Sequence, residues 1–128
     1  MRSFALYCIL GCCLPALVHG KDFSLTAVSG QSTKMQNYTS WNDDCASSTG
    51  TVKVLTKPQH GMISKRFVDS KISTHTRIPR VTYCTGVPVK ALQVNYTSVR
   101  GFHGTDNFSL EAIWPTHRDI DNYIVTVK

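Results

Sequence analysis

The stretch from Val94 to Phe108, V-N-Y-T-S-V-R-G-F-H-G-T-D-N-F, constrains the fold of this chain more than any other. Val94 and Tyr96 precede Gly101 and Gly104, and Phe108, Leu110 and Ala112 follow them, with the two-residue period of strands that bury one face. The glycines allow the positive φ that a chain needs to turn sharply between two such runs. Two strands and a glycine corner in so short a span predict β structure packed on a shared core.

Similar signals recur along the chain. Phe23, Leu25 and Ala27 alternate with polar neighbours and predict a first strand, whereas Gly30 to Asn42 is polar and carries no strand pattern. Thr51 to Thr56 is the cleanest strand; the Pro58-Gln59-His60-Gly61 turn closes it, and Met62 to Arg66 predicts the returning arm of a hairpin. Phe67 to Thr76 is polar and unassigned, Val81 to Cys84 and Lys90 to Tyr96 predict further strands, and Asn107 to Trp114 with Tyr123 to Val127 predicts a last hairpin. No window holds an apolar 3.6-residue period for three turns, so helix is not expected. About seven short strands separated by turns predict a β-sandwich or barrel. Its core is expected from Val52, Val54, Leu92, Val94, Tyr96, Phe108, Leu110 and Ile124, with Val125 a further candidate, and Trp41 and Trp114 are expected at the core or its edge.

The first twenty residues have the pattern of a cleaved leader. Arg2 supplies a positive n-region, Phe4 to Val18 is an apolar run broken by Gly11 and Pro15, and Val18-His19-Gly20 offers a cleavage site after Gly20. The run is too short and too interrupted for a spanning helix, which wants about twenty apolar residues, and no later segment predicts a transmembrane helix. Ile9-Leu10-Gly11-Cys12 is an alternative processing site with lipid attachment at Cys12, although its hydrophobic segment would be very short. The expected mature chain, residues 21–128, is one domain with one core.

Removing residues 1–20 reduces five cysteines to two, Cys45 and Cys84. In an oxidising compartment an even pair predicts a disulfide. Closing a loop of about forty residues stabilises a domain by about 4 kcal/mol in the chain-entropy model. The pair lacks the C-x-x-C spacing of redox-active thiols.

The formal charge of +6 becomes +5 without Arg2, and the basic residues are dispersed, with Lys65-Arg66 the densest local pair. Such a balance suits either a solvated surface or weak attraction to acidic polymers of a cell envelope. It does not point to nucleic acid, because no recognition motif accompanies it.

Four segments together resemble the bacterial Ig-like or cadherin-like domains. They are P-x-H-G-x-I at Pro58 to Ile63, Asn95-Tyr96-Thr97, G-F-H-G-T-D-N-F at Gly101 to Phe108, and Ile124-Val125-Thr126-Val127. The resemblance implies an Ig-like, cadherin-like Greek-key β-sandwich in a periplasmic or secreted protein. It implies a monomeric spacer or binding module, with an envelope polymer or another exported protein as partner, and not an enzyme. The cysteine pair departs from the tandem-array members, and the Trp between cysteines of a true immunoglobulin domain is absent. Within the motif, Phe102 is expected to plug the end of the core and Asp106 to accept hydrogen bonds from the turn that it closes.

No cofactor motif is present, and no G-x-S-x-G elbow marks a nucleophile. The binding residues expected from the turn tips are His60, Phe102 and His103, with Lys65 and Arg66 as electrostatic contributors. The alternative is a small exported metal-binding protein using His60 and His103, which requires their two loops to lie at one end of the sandwich. Asp119-x-Asp121 and Asp43-Asp44 would supply too few oxygens for calcium unless the clusters meet. Asn37, Asn95 and Asn107 begin N-x-S/T sequons.

Overall fold

A computed structural model describes residues 19–48, 50–73, 83–115 and 117–128. The predicted leader, apart from His19 and Gly20, lies outside the described residues, as do Val81 and Thr82 of one predicted strand. Seven strands form two sheets: β1 (His19–Ala27), β2 (Ser32–Tyr38), β3 (Thr51–Thr56), β4 (Gly61–Lys71), β5 (Pro88–Ser98), β6 (Gly104–Ile113) and β7 (Arg118–Val127). One sheet has the order β1-β7-β6-β3 and the other β2-β5-β4. β1 runs parallel to β7, and all other pairs are antiparallel. The described residues contain no α-helix, and no helix among them is long and apolar enough to cross a membrane.

The core lies between the sheets. Val94 and Tyr96 of β5 meet Phe108 and Leu110 of β6 and Tyr123 and Val125 of β7, with Val52, Met35, Tyr38 and Ala27 around them. Phe108 stacks on Tyr123 at 4.7 Å and on Tyr96 at 5.9 Å, so three rings cross the middle of the sandwich. Such offset ring contacts add to the burial of large apolar surfaces.

Four local expectations are corrected. First, β3 and β4 do not form a hairpin: they belong to opposite sheets, and residues 57–60 carry the chain across the end of the sandwich. A Pro-Gln-His-Gly turn reverses direction equally well between sheets as within one, so local turn chemistry does not distinguish the two. Second, the polar segment after Gly30 contains β2. A bulge between Lys34 and Gln36 places Met35 and Tyr38 in the core three residues apart, which erases the two-residue period.

Third, β7 has the opposite phase from that expected of Ile124. Ile124 is 48% exposed while Val125 is fully buried with Tyr123 and Val127. Tyr-Ile-Val-Thr-Val is apolar on both phases, and pairing of Tyr123 with Phe23 and Phe108 selects the one that faces inward. Fourth, Tyr83 and Cys84 are not strand residues but form a tight helical turn.

That turn belongs to a second, smaller core. Cys45 and Cys84 are joined, with Cα atoms 5.3 Å apart. Ile72, Cys84 and Val89 are buried there, with Trp41, Cys45 and Val87 against them. The disulfide thus ties the segment after β2 to the segment before β5, and Tyr83 donates its hydroxyl hydrogen to the Asp43 carbonyl across the same junction at 2.6 Å.

Candidate functional site

The glycine corner and the 57–60 crossing meet at one end of the sandwich. Gly101 and Gly104 adopt φ of 92° and 143°, which side-chain-bearing residues rarely occupy. Asp106, 2% exposed at the start of β6, sends its carboxylate across to the other crossing instead of closing its own turn. It accepts hydrogen bonds from the amides of Gln59 (2.9 Å), His60 (3.0 Å) and Asn107 (2.9 Å) and from the Tyr96 hydroxyl (2.8 Å). Burial pushes this carboxyl up, but the four donors outweigh it, and the group titrates below the ordinary carboxylate value. Burial and the Asp106 charge hold the Tyr96 phenol well above its usual range.

This clamp brings together residues expected at a binding tip. The His60 ring stacks on Phe102 at 4.1 Å, and Phe102 packs against the core, as a plug should. The condition for a shared His60 and His103 metal site, loops at one end, is therefore met. Among the described residues, however, no group of three or more His, Cys, Asp or Glu could hold an ion. Lys65 and Arg66 lie elsewhere, on β4. Lys65 donates to the Val52 carbonyl at 2.8 Å, bridging the two sheets at their β3 and β4 edges, and Arg66 donates to the Gln93 side chain at 3.0 Å. A lysine on an edge strand also discourages edge-to-edge pairing with another chain.

A concavity lies on the opposite flank, where the edge strands β1 and β2 face one another. It is a cleft of about 600 Å³ lined by Gly20, Lys21 and Phe23 of β1, Gln36, Asn37, Tyr38 and Thr39 at β2, Trp114 and His117 between β6 and β7, and Asp119 and Asp121 of β7. Ligand sites commonly have volumes of about 300–1,000 Å³ and combine aromatic walls with a few convergent polar groups.

Its polar floor is built by β7. Asp119, Asp121 and Tyr123 occupy alternate positions and so share one face of the strand, the face that continues as Val125 and Val127 in the core, and His117 lies just ahead of the strand. Asp121 is 6% exposed and accepts a hydrogen bond from the Tyr38 hydroxyl at 2.7 Å. Because Tyr38 has one hydroxyl hydrogen, its 2.8 Å contact with the Tyr123 hydroxyl is donated by Tyr123. Burial and these partners hold the Tyr38 phenol far above its usual range; burial and the Asp121 charge push Tyr123 up to about 12 against the bond to Tyr38. Both stay neutral near pH 7.

Aromatic groups complete the cleft. Trp114 packs on the core and tilts against Tyr38 at 6.4 Å and His117 at 6.0 Å, while Phe23 stacks on Tyr123 at 5.0 Å. The two tryptophans thus differ: Trp41 belongs to the small core, and Trp114 is both a core residue and a cleft wall. The site is not evident in the sequence because its residues come from three separated segments, 20–23, 36–39 and 114–121. A legible signal was present in D-x-D-x-Y, a strand whose inward positions turn polar.

No protein-family model and no curated protein sequence matches the chain. Among solved structures the fold is similar to "Solution Structure of Amebosin", with a TM-score of 0.49, 11% identity, and coverage of 86% of this chain and 98% of that chain.

Proposed function

We propose that this protein is an exported, non-catalytic binding module of the cell envelope, built as an Ig-like Greek-key sandwich, and that the cleft between β1 and β2 is its ligand site. The apolar leader and the Cys45–Cys84 bond support export, since disulfides persist in oxidising compartments. The facing of β1-β7-β6-β3 against β2-β5-β4 supports the Ig-like reading, in which some connections, here β1–β2, β2–β3, β3–β4 and β5–β6, cross from one sheet to the other while β4–β5 and β6–β7 stay within a sheet.

The cleft is the observation that carries the binding role. Rigid strands position all of its carboxylate and phenol groups, and the buried Tyr123-Tyr38-Asp121 chain holds them before any ligand arrives. The experiment is a panel of small envelope-type ligands titrated into ¹⁵N-labelled protein, read by amide and indole shifts. Shifts clustered on Trp114, Tyr38 and Asp121 are expected. Shifts confined to His60, Phe102 and His103 would move the site to the corner, and turnover of any ligand would refute the non-catalytic assignment. Intact mass of protein secreted by its own host tests the export reading: a chain beginning at Lys21, two hydrogens light, is expected, and a retained leader would refute it.

A further inference from the structure

We infer that the cleft recognises an organic ammonium group, with its charge at Asp121 and Asp119 and its hydrocarbon against Trp114 and Phe23. This rests on the cleft being the ligand site. Two aspartates are buried among the described residues. Asp106 has four hydrogen-bond donors. Asp121, buried as well, has one, the neutral phenol of Tyr38 on Oδ2, and Oδ1 has no donor among the described residues. No fully enclosed side-chain oxygen in the described residues lacks a partner, so Oδ1 reaches the cleft. A carboxylate so placed is under-compensated, because burial of a charge is costly unless a counter-charge or several donors meet it.

Asp119 adds a second carboxylate two residues along the same strand face, with Oδ2 3.7 Å from His117 Nε2. The cleft is therefore acidic within a chain of formal charge +6. Its volume of about 600 Å³ is far larger than a metal ion needs, and its walls include the aromatic residues Phe23, Tyr38 and Trp114. Carboxylates beside aromatic rings select a cation that carries hydrocarbon, since cation–π attraction acts with the ion pair and grows as the site is desolvated. Lys21 is a rival cation of the chain itself, through its side chain and, once the leader is cleaved after Gly20, through the α-ammonium of the new N-terminus. It lies in register with Asp121, yet its side chain is exposed and makes no ion pair.

Choline and its uncharged isostere 3,3-dimethylbutan-1-ol separate charge from shape. In NMR titrations of the full secreted protein, choline is expected to shift Trp114 and the β7 amides and to bind about tenfold more tightly than the alcohol. Asp121→Asn, which keeps an acceptor for Tyr38 and hence the fold, is expected to lose that tenfold preference, and Lys21→Gln to strengthen choline binding. Equal binding of choline and the alcohol, or weaker binding in Lys21→Gln, overturns the inference. A neutral monosaccharide that shifts the same resonances while choline is silent overturns the ammonium and keeps the cleft. Silence from all three probes overturns both.

Discussion

Replacing Asp106 by Asn removes one oxygen and the charge from the clamp that joins two chain crossings. Asn retains one acceptor, enough for the pair formed by Gln59 and Asn107 on Oδ1, and presents an NH₂ group where His60 N–H and Tyr96 O–H converge on Oδ2. The phenol can rotate to accept, but the His60 amide cannot. One charge-assisted bond is lost, at about 1.5–3 kcal/mol, and the remaining two weaken as their acceptor becomes neutral. The expected destabilisation is about 3 kcal/mol, a large part of the 5–15 kcal/mol of a typical domain. With a urea m-value of about 1.5 kcal/mol per molar, the midpoint falls by about 2 M at pH 7, without a change in m. Acid dependence is a second readout. The Asp106 carboxyl is held below its ordinary value of 3.8, so its contribution is complete above that pH and disappears as pH falls through the folded value. The gap between wild type and Asp106→Asn should therefore narrow below about pH 4. A midpoint shift below about 0.3 M at pH 7, or a gap independent of pH, would refute the clamp as the source of stability.

Other expectations follow from the same packing. A methyl at Gly61 would lie 2.6 Å from the Tyr96 ring and 2.7 Å from the Thr97 carbonyl, so Gly61→Ala should destabilise by about 2 kcal/mol or more in the same urea assay. Val125→Ala should lower stability by about 2 kcal/mol and Ile124→Ala by about 0.5 kcal/mol or less; the reverse order would refute the phase of β7. Reducing the Cys45–Cys84 bond should lower thermal stability by about 4 kcal/mol of free energy, and unchanged melting in reductant would count against a structural bond. Tyr38→Phe leaves Asp121 and Tyr123 without their shared partner and should cost about 1–3 kcal/mol while leaving Trp41 fluorescence unchanged.

Strand composition was legible wherever burial followed a simple alternation. Phe108-x-Leu110-x-Ala112 and Val94-x-Tyr96 have one apolar phase, so only one face can be buried, and the prediction of all-β structure and of these core residues followed from that. The positive φ at Gly101 and Gly104 was also local, because it reflects backbone sterics at those positions. The pairing of the two cysteines of residues 21–128 followed from their number and from the oxidising compartment that the leader pattern leads one to expect. What tertiary structure alone decided was every relation in which local chemistry allows two answers: whether the Pro58–Gly61 turn links strands within a sheet or between sheets, which phase of Tyr-Ile-Val-Thr-Val faces inward, and where the Asp106 carboxylate finds its donors. The cleft belongs to the same class. Lys21, Tyr38, Trp114 and Asp121 are dispersed in sequence and meet only because parallel pairing of β1 with β7 puts the edge of one sheet beside the edge of the other. Periodicity encodes which face of a strand is dry, but the neighbours of that face are set by the sum of many long-range contacts.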